Sequence, residues 1–172
     1  MQPYFLPYIG YWQLLNHVDK FVLYDNIKYT KKGWINRNRI LRNDSPDKFS
    51  LPLRKDSDNL DISQRYISEV FDKEKFLRKM KGAYFKAKNF KKIILILENI
   101  VCYEDKNLFN FIAHSIHIIC NYLNIDFSKI VISSSIKIDH SLKSSRKVIT
   151  ICKSLNAKSY VNPIGGLDLY KK

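Results

Sequence analysis

This sequence has little of what builds cross-links, metal cages or phosphate loops. It contains three cysteines, Cys102, Cys120 and Cys152, an odd number with no CxxC spacing, so neither a disulfide framework nor a zinc cluster is indicated. Each falls in an apolar helical pattern, as buried free thiols in a reducing compartment do, and a cytoplasmic location is expected. The five glycines form no Walker loop and no dinucleotide fingerprint, and no nucleophile elbow is present. The expected cofactor and metal complement is therefore none. His114 and His117 share a helix face, but no third ligand lies near them in sequence. The longest wholly apolar run, Ile93 to Leu97, stops at Glu98, so no transmembrane segment is expected. Gln2 and Pro3 follow the first methionine directly, and no signal peptide is expected. Acidic residues are scarce too: 16 Asp and Glu against 30 Lys and Arg leave a net charge of +14. Such a balance favours polyanionic partners, namely nucleic acid, phosphorylated metabolites or anionic lipid heads. A compositional bias toward Lys, Ile and Asn would raise the same count, so charge alone does not choose among them.

What is present is ordinary globular material. With 172 residues, 45% hydrophobic and 27% charged, the chain suits a single domain with a real core. Two prolines and a glycine make residues 2–10 a rigid extended loop, whose Tyr4, Phe5 and Tyr8 could seal the domain or line a pocket. A short helix follows over Tyr11 to His17, with Trp12 and Leu15 inward, then a buried strand over Lys20 to Tyr24. Arg39 to Arg42 and Phe49 to Leu53 read as strands around the turn Asn43 to Pro46, and Leu60 to Val70 as holding one more. Helical spacing then takes over in Lys73 to Phe85, Phe90 to Tyr103 and Asn107 to Leu123. The α/β rhythm returns with a strand over Lys129 to Ser133 and a serine-capped helix over Ser144 to Leu155, with Val148, Cys152 and Leu155 inward. Asn156 suits that helix's end, and a strand is expected over Lys158 to Val161. The fold class is α/β: a small mixed sheet with flanking helices in 1–70 and 125–172, and a helical insertion in 71–124.

One stretch resists a packing explanation. Gly33-Trp-Ile-Asn-Arg-Asn-Arg39 separates apolar from polar side chains neither at a strand period nor at a helical one. It offers planar multi-donor chemistry instead. Arg37 and Arg39 present forks suited to phosphate or carboxylate, Asn36 and Asn38 can pair with amides or sugar hydroxyls, and Trp34 supplies a stacking face. The competing reading is a solvated basic loop with one anchoring tryptophan. Asp25 stands just past the carboxyl end of the first strand, where open α/β sheets place ligands, or else it caps a turn through Asn26. Asn162, Gly165 and Gly166 follow the last expected strand, where backbone N–H groups can approach an anion; an ordinary turn would look the same.

Four motifs together resemble the WbqC-like family. They are Gln2-Pro-Tyr-Phe-x-Pro-Tyr-Ile-Gly-Tyr11, Asp19-Lys-Phe-Val-x-Tyr-Asp25, Tyr29-x-Lys-Lys-Gly-Trp-Ile-Asn-Arg-Asn-Arg-Ile40 and Tyr160-x-Asn-Pro-Ile-Gly-Gly-x-x-Leu-Tyr170. The family consists of bacterial proteins associated with O-antigen and capsule polysaccharide biosynthesis. The resemblance implies a transferase moving a glycyl or aminoacyl group onto a nucleotide-linked amino sugar. On that reading Asp25 takes the proton of the attacking amine, and Arg37 and Arg39 hold the diphosphate. Trp34 or Tyr4 lies against base or sugar, Gln2, Asn36, Asn38 and Asn162 complete the site, and the Gly165 and Gly166 amides face the oxyanion. The implied partners are a nucleotide-linked sugar or other phosphorylated small molecule and, as donor, charged tRNA. Members usually begin with a short hydrophobic strand before the Gln-Pro motif and continue past the Gly-Gly motif. The resemblance therefore implies an internal Met1 and a chain short at both ends. Asn26 and Lys28 stand where the family tends to show acidic and amide residues, which removes a carboxylate beside Asp25. Two other readings stand beside this one. A nucleotide-binding enzyme of nucleotidyltransferase type is suggested by the strand, Pro-rich loop and helix at the start, although its usual histidine pair is absent. A non-catalytic module for RNA or an anionic glycan would account for the net charge.

Overall fold

A computed structural model describes residues 1–164 and 166. The architecture is mixed α/β. Helix α1 (Ile9–His17) and strand β1 (Phe21–Leu23) open it, followed by the hairpin β2 (Arg37–Arg42) and β3 (Ser45–Ser50). Helices α2 (Lys73–Tyr84), α3 (Phe90–Cys102) and α4 (Leu108–Leu123) come next, then strand β4 (Ile130–Ile132) and helix α5 (Ser144–Ser154). β1 and β4 pair in parallel, with Val22 opposite Val131, so strands far apart in the chain lie side by side. The backbone of Met1 continues this sheet on the other edge of β1. Its N–H group donates to the Val22 carbonyl at 2.6 Å and its carbonyl accepts from Tyr24 N at 2.9 Å.

The hairpin is shorter at its turn than the proline suggested. Asn43 and Asp44 both adopt positive φ, 48° and 56°, which makes a two-residue turn whose twist suits an antiparallel pair. Pro46 therefore sits inside β3 opposite Leu41, and β3 ends at Ser50. Leu53, beyond it, makes only a single bridge to Ile67. The strand expected within residues 60–70 is instead a 3-10 turn over Ile62–Gln64 with isolated bridges on either side. Here the Asp61 N–H donates to Gln64 Oε1 at 3.0 Å, and the local side-chain bond competes with a ladder.

The middle helices follow their sequence signals. Asp72 caps α2, and the Asn107 side chain accepts from the Phe109 and Asn110 amides at the start of α4. Phe5, from the Pro-rich loop, is wholly buried and is the hub of an aromatic cluster. Its ring lies 6.1 Å from Phe49, 6.0 Å from Phe76 and 5.7 Å from Phe111, joining loop, hairpin, α2 and α4 in one core.

α5 is built differently. The serine cap expected at its start is missing: Lys143 is the N-cap, no side chain caps the first turn, and Ser144 sits at φ 50°. Asn156 does end it, at φ 52°. Val148, Cys152 and Leu155 are half-buried and line a cleft. Lys158 to Val161 forms no strand; these residues are mostly solvent-exposed and make no ladder. Cys120 is buried and Cys152 half-buried, but Cys102, expected inside, is exposed on α3. All three are free thiols. No helix among the described residues is long and apolar enough to cross a membrane, and they hold no cluster of His, Cys, Asp and Glu suited to a metal.

Candidate functional site

A cleft of about 1390 Å³ separates the N-terminal segment and β1 from α5 and the residues after it. That exceeds the ~300–1,000 Å³ of most small-molecule sites and leaves room for a ligand of two parts. Its floor is apolar, with Phe21, Val22, Ile151 and Leu155 among the lining residues. The polar groups come from two walls.

The first wall is made by the opening loop and by the run after Gly33. Phe5 N donates to the Ile35 carbonyl at 2.9 Å, and the Asn38 amide donates to the Leu6 carbonyl. Leu6 is held at φ 51°, and this kink turns Phe5 into the core while its neighbours face the cleft. Tyr4, Tyr8 and Gln2 line it, with the Tyr4 hydroxyl donating to Gln2 Oε1 at 3.2 Å. Burial, and then the neighbouring Tyr8, raise the Tyr4 phenol above its ordinary range, so it remains a donor at neutral pH. Trp34 is 43% exposed, and the Arg39 guanidinium carbon lies 4.8 Å from its ring centroid. This stacked pair presents a flat aromatic face beside a fixed positive charge.

Other residues of the same run serve the fold. Asn36 is buried, accepting from Tyr29 OH at 2.8 Å and donating to the Leu51 carbonyl at 2.7 Å. Arg37 turns away from the cleft, one guanidinium nitrogen donating to the Lys31 carbonyl and its Nε buried without a partner. Asp25 does lie just past β1, but at 7% exposure it does not line the cleft. Its Oδ1 accepts from Ser134 N at 2.9 Å, where a 3-10 turn over Ser133–Ser135 follows β4.

Of the residues singled out from sequence, Gln2, Tyr4, Trp34, Asn38, Arg39, Asn162 and Gly166 thus meet on one cavity. Asp25, Asn36 and Arg37 lie off it, and Gly165 lies outside the described residues. The Gly166 amide is committed to a turn, donating to the Pro163 carbonyl at 2.8 Å. A Cβ at Gly166 would fall 1.6 Å from Asn162 Nδ2, so any larger residue there would move the Asn162 side chain.

The second wall carries a group that the sequence reading passed over. Lys147, on α5, is 6% exposed and lines the cleft beside Ser144 and Tyr24. Its Nζ donates to the backbone and side-chain oxygens of Asn26, both at 3.3 Å, and lies 5.7 Å from the Tyr24 ring centroid. The amide of Asn26 is oriented in turn by His140. Nε2 of His140 pairs with the Ile136 carbonyl at 3.0 Å, so Nε2 carries the proton and Nδ1 accepts from Asn26 Nδ2 at 2.9 Å. A signal for Lys147 was available. It stands four residues before the buried Ile151, on the inward stripe of an amphipathic helix, where a lysine needs a reason.

The family pattern described as "WbqC-like protein family" matches residues 2–172. The uncharacterized protein Rv1507c of Mycobacterium tuberculosis is 26% identical over 164 residues, covering 94% of this chain and 70% of its own length. No solved structure matches the chain.

Proposed function

This chain belongs to the WbqC-like protein family, and from that premise we propose that it is a transferase of bacterial surface-polysaccharide assembly. It takes a nucleotide-linked amino sugar into the cleft and joins a glycyl or other aminoacyl group to the sugar's amine. The observation that carries this reading is the stacked Trp34–Arg39 pair on the wall of a cavity of about 1390 Å³. A flat ring suits a base or sugar face, the guanidinium beside it suits phosphate, and Asn38, Gln2 and Tyr4 offer hydrogen bonds to hydroxyls. In the transfer, the amine nitrogen bonds to the acyl carbon as the donor's ester C–O bond breaks. The ester oxygen leaves with the proton that the amine gives up.

Asp25 enters this scheme as a positioning residue. It ties the end of β1 to the turn after β4 and so fixes Asn26, its neighbour, beneath Lys147. The net charge of +14 suits a polyanionic donor such as charged tRNA. The test is to incubate the protein with UDP-linked amino sugars and charged tRNA and to look for the amide by mass spectrometry. The expected result is a product heavier by one aminoacyl residue, reduced by roughly tenfold or more in Trp34→Ala. Absence of both product and binding across such a panel would contradict the proposal.

A second reading, a non-catalytic module for RNA or an anionic glycan, is favoured by one surface feature. Lys86, Lys88, Lys91 and Lys92 are all exposed around the start of α3. That reading expects affinity for RNA that falls steeply with salt and is indifferent to Trp34.

A further inference from the structure

Lys147 is a buried lysine with no counter-ion among the described residues. Only neutral oxygens of Asn26 accept from it, at 3.3 Å, and no carboxylate among the described residues lies within ion-pair distance. Burying an ammonium is costly unless an opposite charge compensates it. A purely structural solution exists elsewhere in the molecule for comparison. Arg65, 5% exposed, donates to the Ser57 and Arg54 carbonyls and pins a loop, and it does not line the cleft. Lys147 differs because it faces the cleft.

The first turn of α5 reaches the same place. Ser144 lines the cleft next to Lys147. This turn has no acidic residue and no side-chain cap, so its leading N–H groups lack the side-chain partner that Asp72 gives α2 and Asn107 gives α4. Uncapped N–H groups and the helix dipole favour an anion at that point. The chain from Ile136 through His140 and Asn26 holds the lysine there before any ligand arrives.

We propose that Lys147 and the first turn of α5 seat the diphosphate of the ligand, at the end of the cleft where β1 finishes. This rests on the reading of the cleft as a nucleotide-sugar site. It moves the principal phosphate contact from Arg37, which faces away, to a residue on the opposite wall. Arg39 remains with Trp34 at the other side, near the base or sugar.

The experiment is calorimetric titration of the full chain with two probes, inorganic pyrophosphate and a UDP-linked amino sugar, using wild type, Lys147→Met and Ser144→Glu. Methionine keeps the packing of the stem and removes the charge, so the thermal midpoint is expected to hold or rise. Wild type is expected to bind pyrophosphate saturably, with affinity lowered about tenfold or more in Lys147→Met. Glutamate at 144 gives Lys147 an internal counter-ion three residues away and is expected to weaken pyrophosphate by the same order. Should the methionine variant not fold, the glutamate variant decides alone. Pyrophosphate affinity unchanged by either substitution, or no binding to wild type, overturns the inference. Pyrophosphate bound through Lys147 with no affinity for the UDP-sugar upholds the seat and sinks the wider reading. UDP-sugar bound equally by wild type and Lys147→Met does the reverse.

Discussion

The two walls of the cleft invert what their residue types suggest. The first, rich in Asn and Arg, reads as a site, yet much of its polar chemistry is spent on the fold. Asn36 and Asn38 clamp backbone carbonyls, and Arg37 faces the Lys31 carbonyl. The second reads as a plain amphipathic helix, yet it brings a buried lysine with no counter-ion among the described residues and an uncapped first turn. A polar side chain whose partners are already in the molecule contributes to stability. One whose partners fall short of its charge is available to a ligand.

The largest test of this contrast is in the core that backs the first wall. Phe5→Ala removes the hub of the aromatic cluster and is expected to cost about 3–5 kcal/mol in denaturant unfolding. Val148→Ala, on the half-buried face of α5, is expected to cost under about 1.5 kcal/mol. Equal losses at the two positions would erase the distinction between an anchored wall and a loosely held one. Next comes Asn36→Ala, which leaves Tyr29 OH and the Leu51 carbonyl without their buried partner. A loss of about 1–3 kcal/mol is expected, seen as a lower thermal midpoint. Trp34→Ala should show the opposite profile, with the midpoint little changed and ligand affinity down roughly tenfold.

Two smaller effects sharpen the picture away from the cleft. Cys102 is exposed, whereas burial raises the Cys120 thiol to about 11. A maleimide at neutral pH should label Cys102 in the native protein and reach Cys120 only on unfolding. Equal labelling would contradict the packing of α4. The smallest concerns His114, which stacks on Tyr103 with ring centroids 4.1 Å apart. Burial first, and then His117, lower its pKa below the ordinary 6.5. The unfolded chain therefore takes up this proton first as pH falls. The contribution is full above about 6.5 and is lost on acidification through the lowered value, so stability rises with pH across that window. His114→Gln should flatten that slope by a fraction of a kcal/mol.

Element types were largely legible in the sequence, because the apolar periods of 73–85, 90–103 and 107–123 leave little choice and Asn107 marks a start. The extra strands expected within 60–70 and at 158–161 were not, since a strand needs a neighbour and only the folded chain says whether one is in reach. For the site, sequence chemistry located the right wall but not the direction of each side chain. Asn36 and Asn38 differ by two positions, yet Asn36 is sealed in the core between Tyr29 and the Leu51 carbonyl, while Asn38 lines the cleft and reaches the Leu6 carbonyl of the opening loop. Lys147 stayed hidden for the converse reason. A lysine within a helix reads as solvent-facing until the helix is seen to place it over Asn26.

The most direct measurement uses the two tryptophans as internal probe and control. Trp34 stands on the cleft, while Trp12 is buried and its Nε1 donates to the Pro7 carbonyl at 3.1 Å. With 5-fluorotryptophan incorporated and Trp34→Phe used for assignment, fluorine NMR follows a titration with a UDP-linked amino sugar. Saturable movement of the Trp34 resonance with Trp12 still is the expected result. A Trp34 resonance that stays in place while the sugar nucleotide demonstrably binds would contradict a ligand site on this wall.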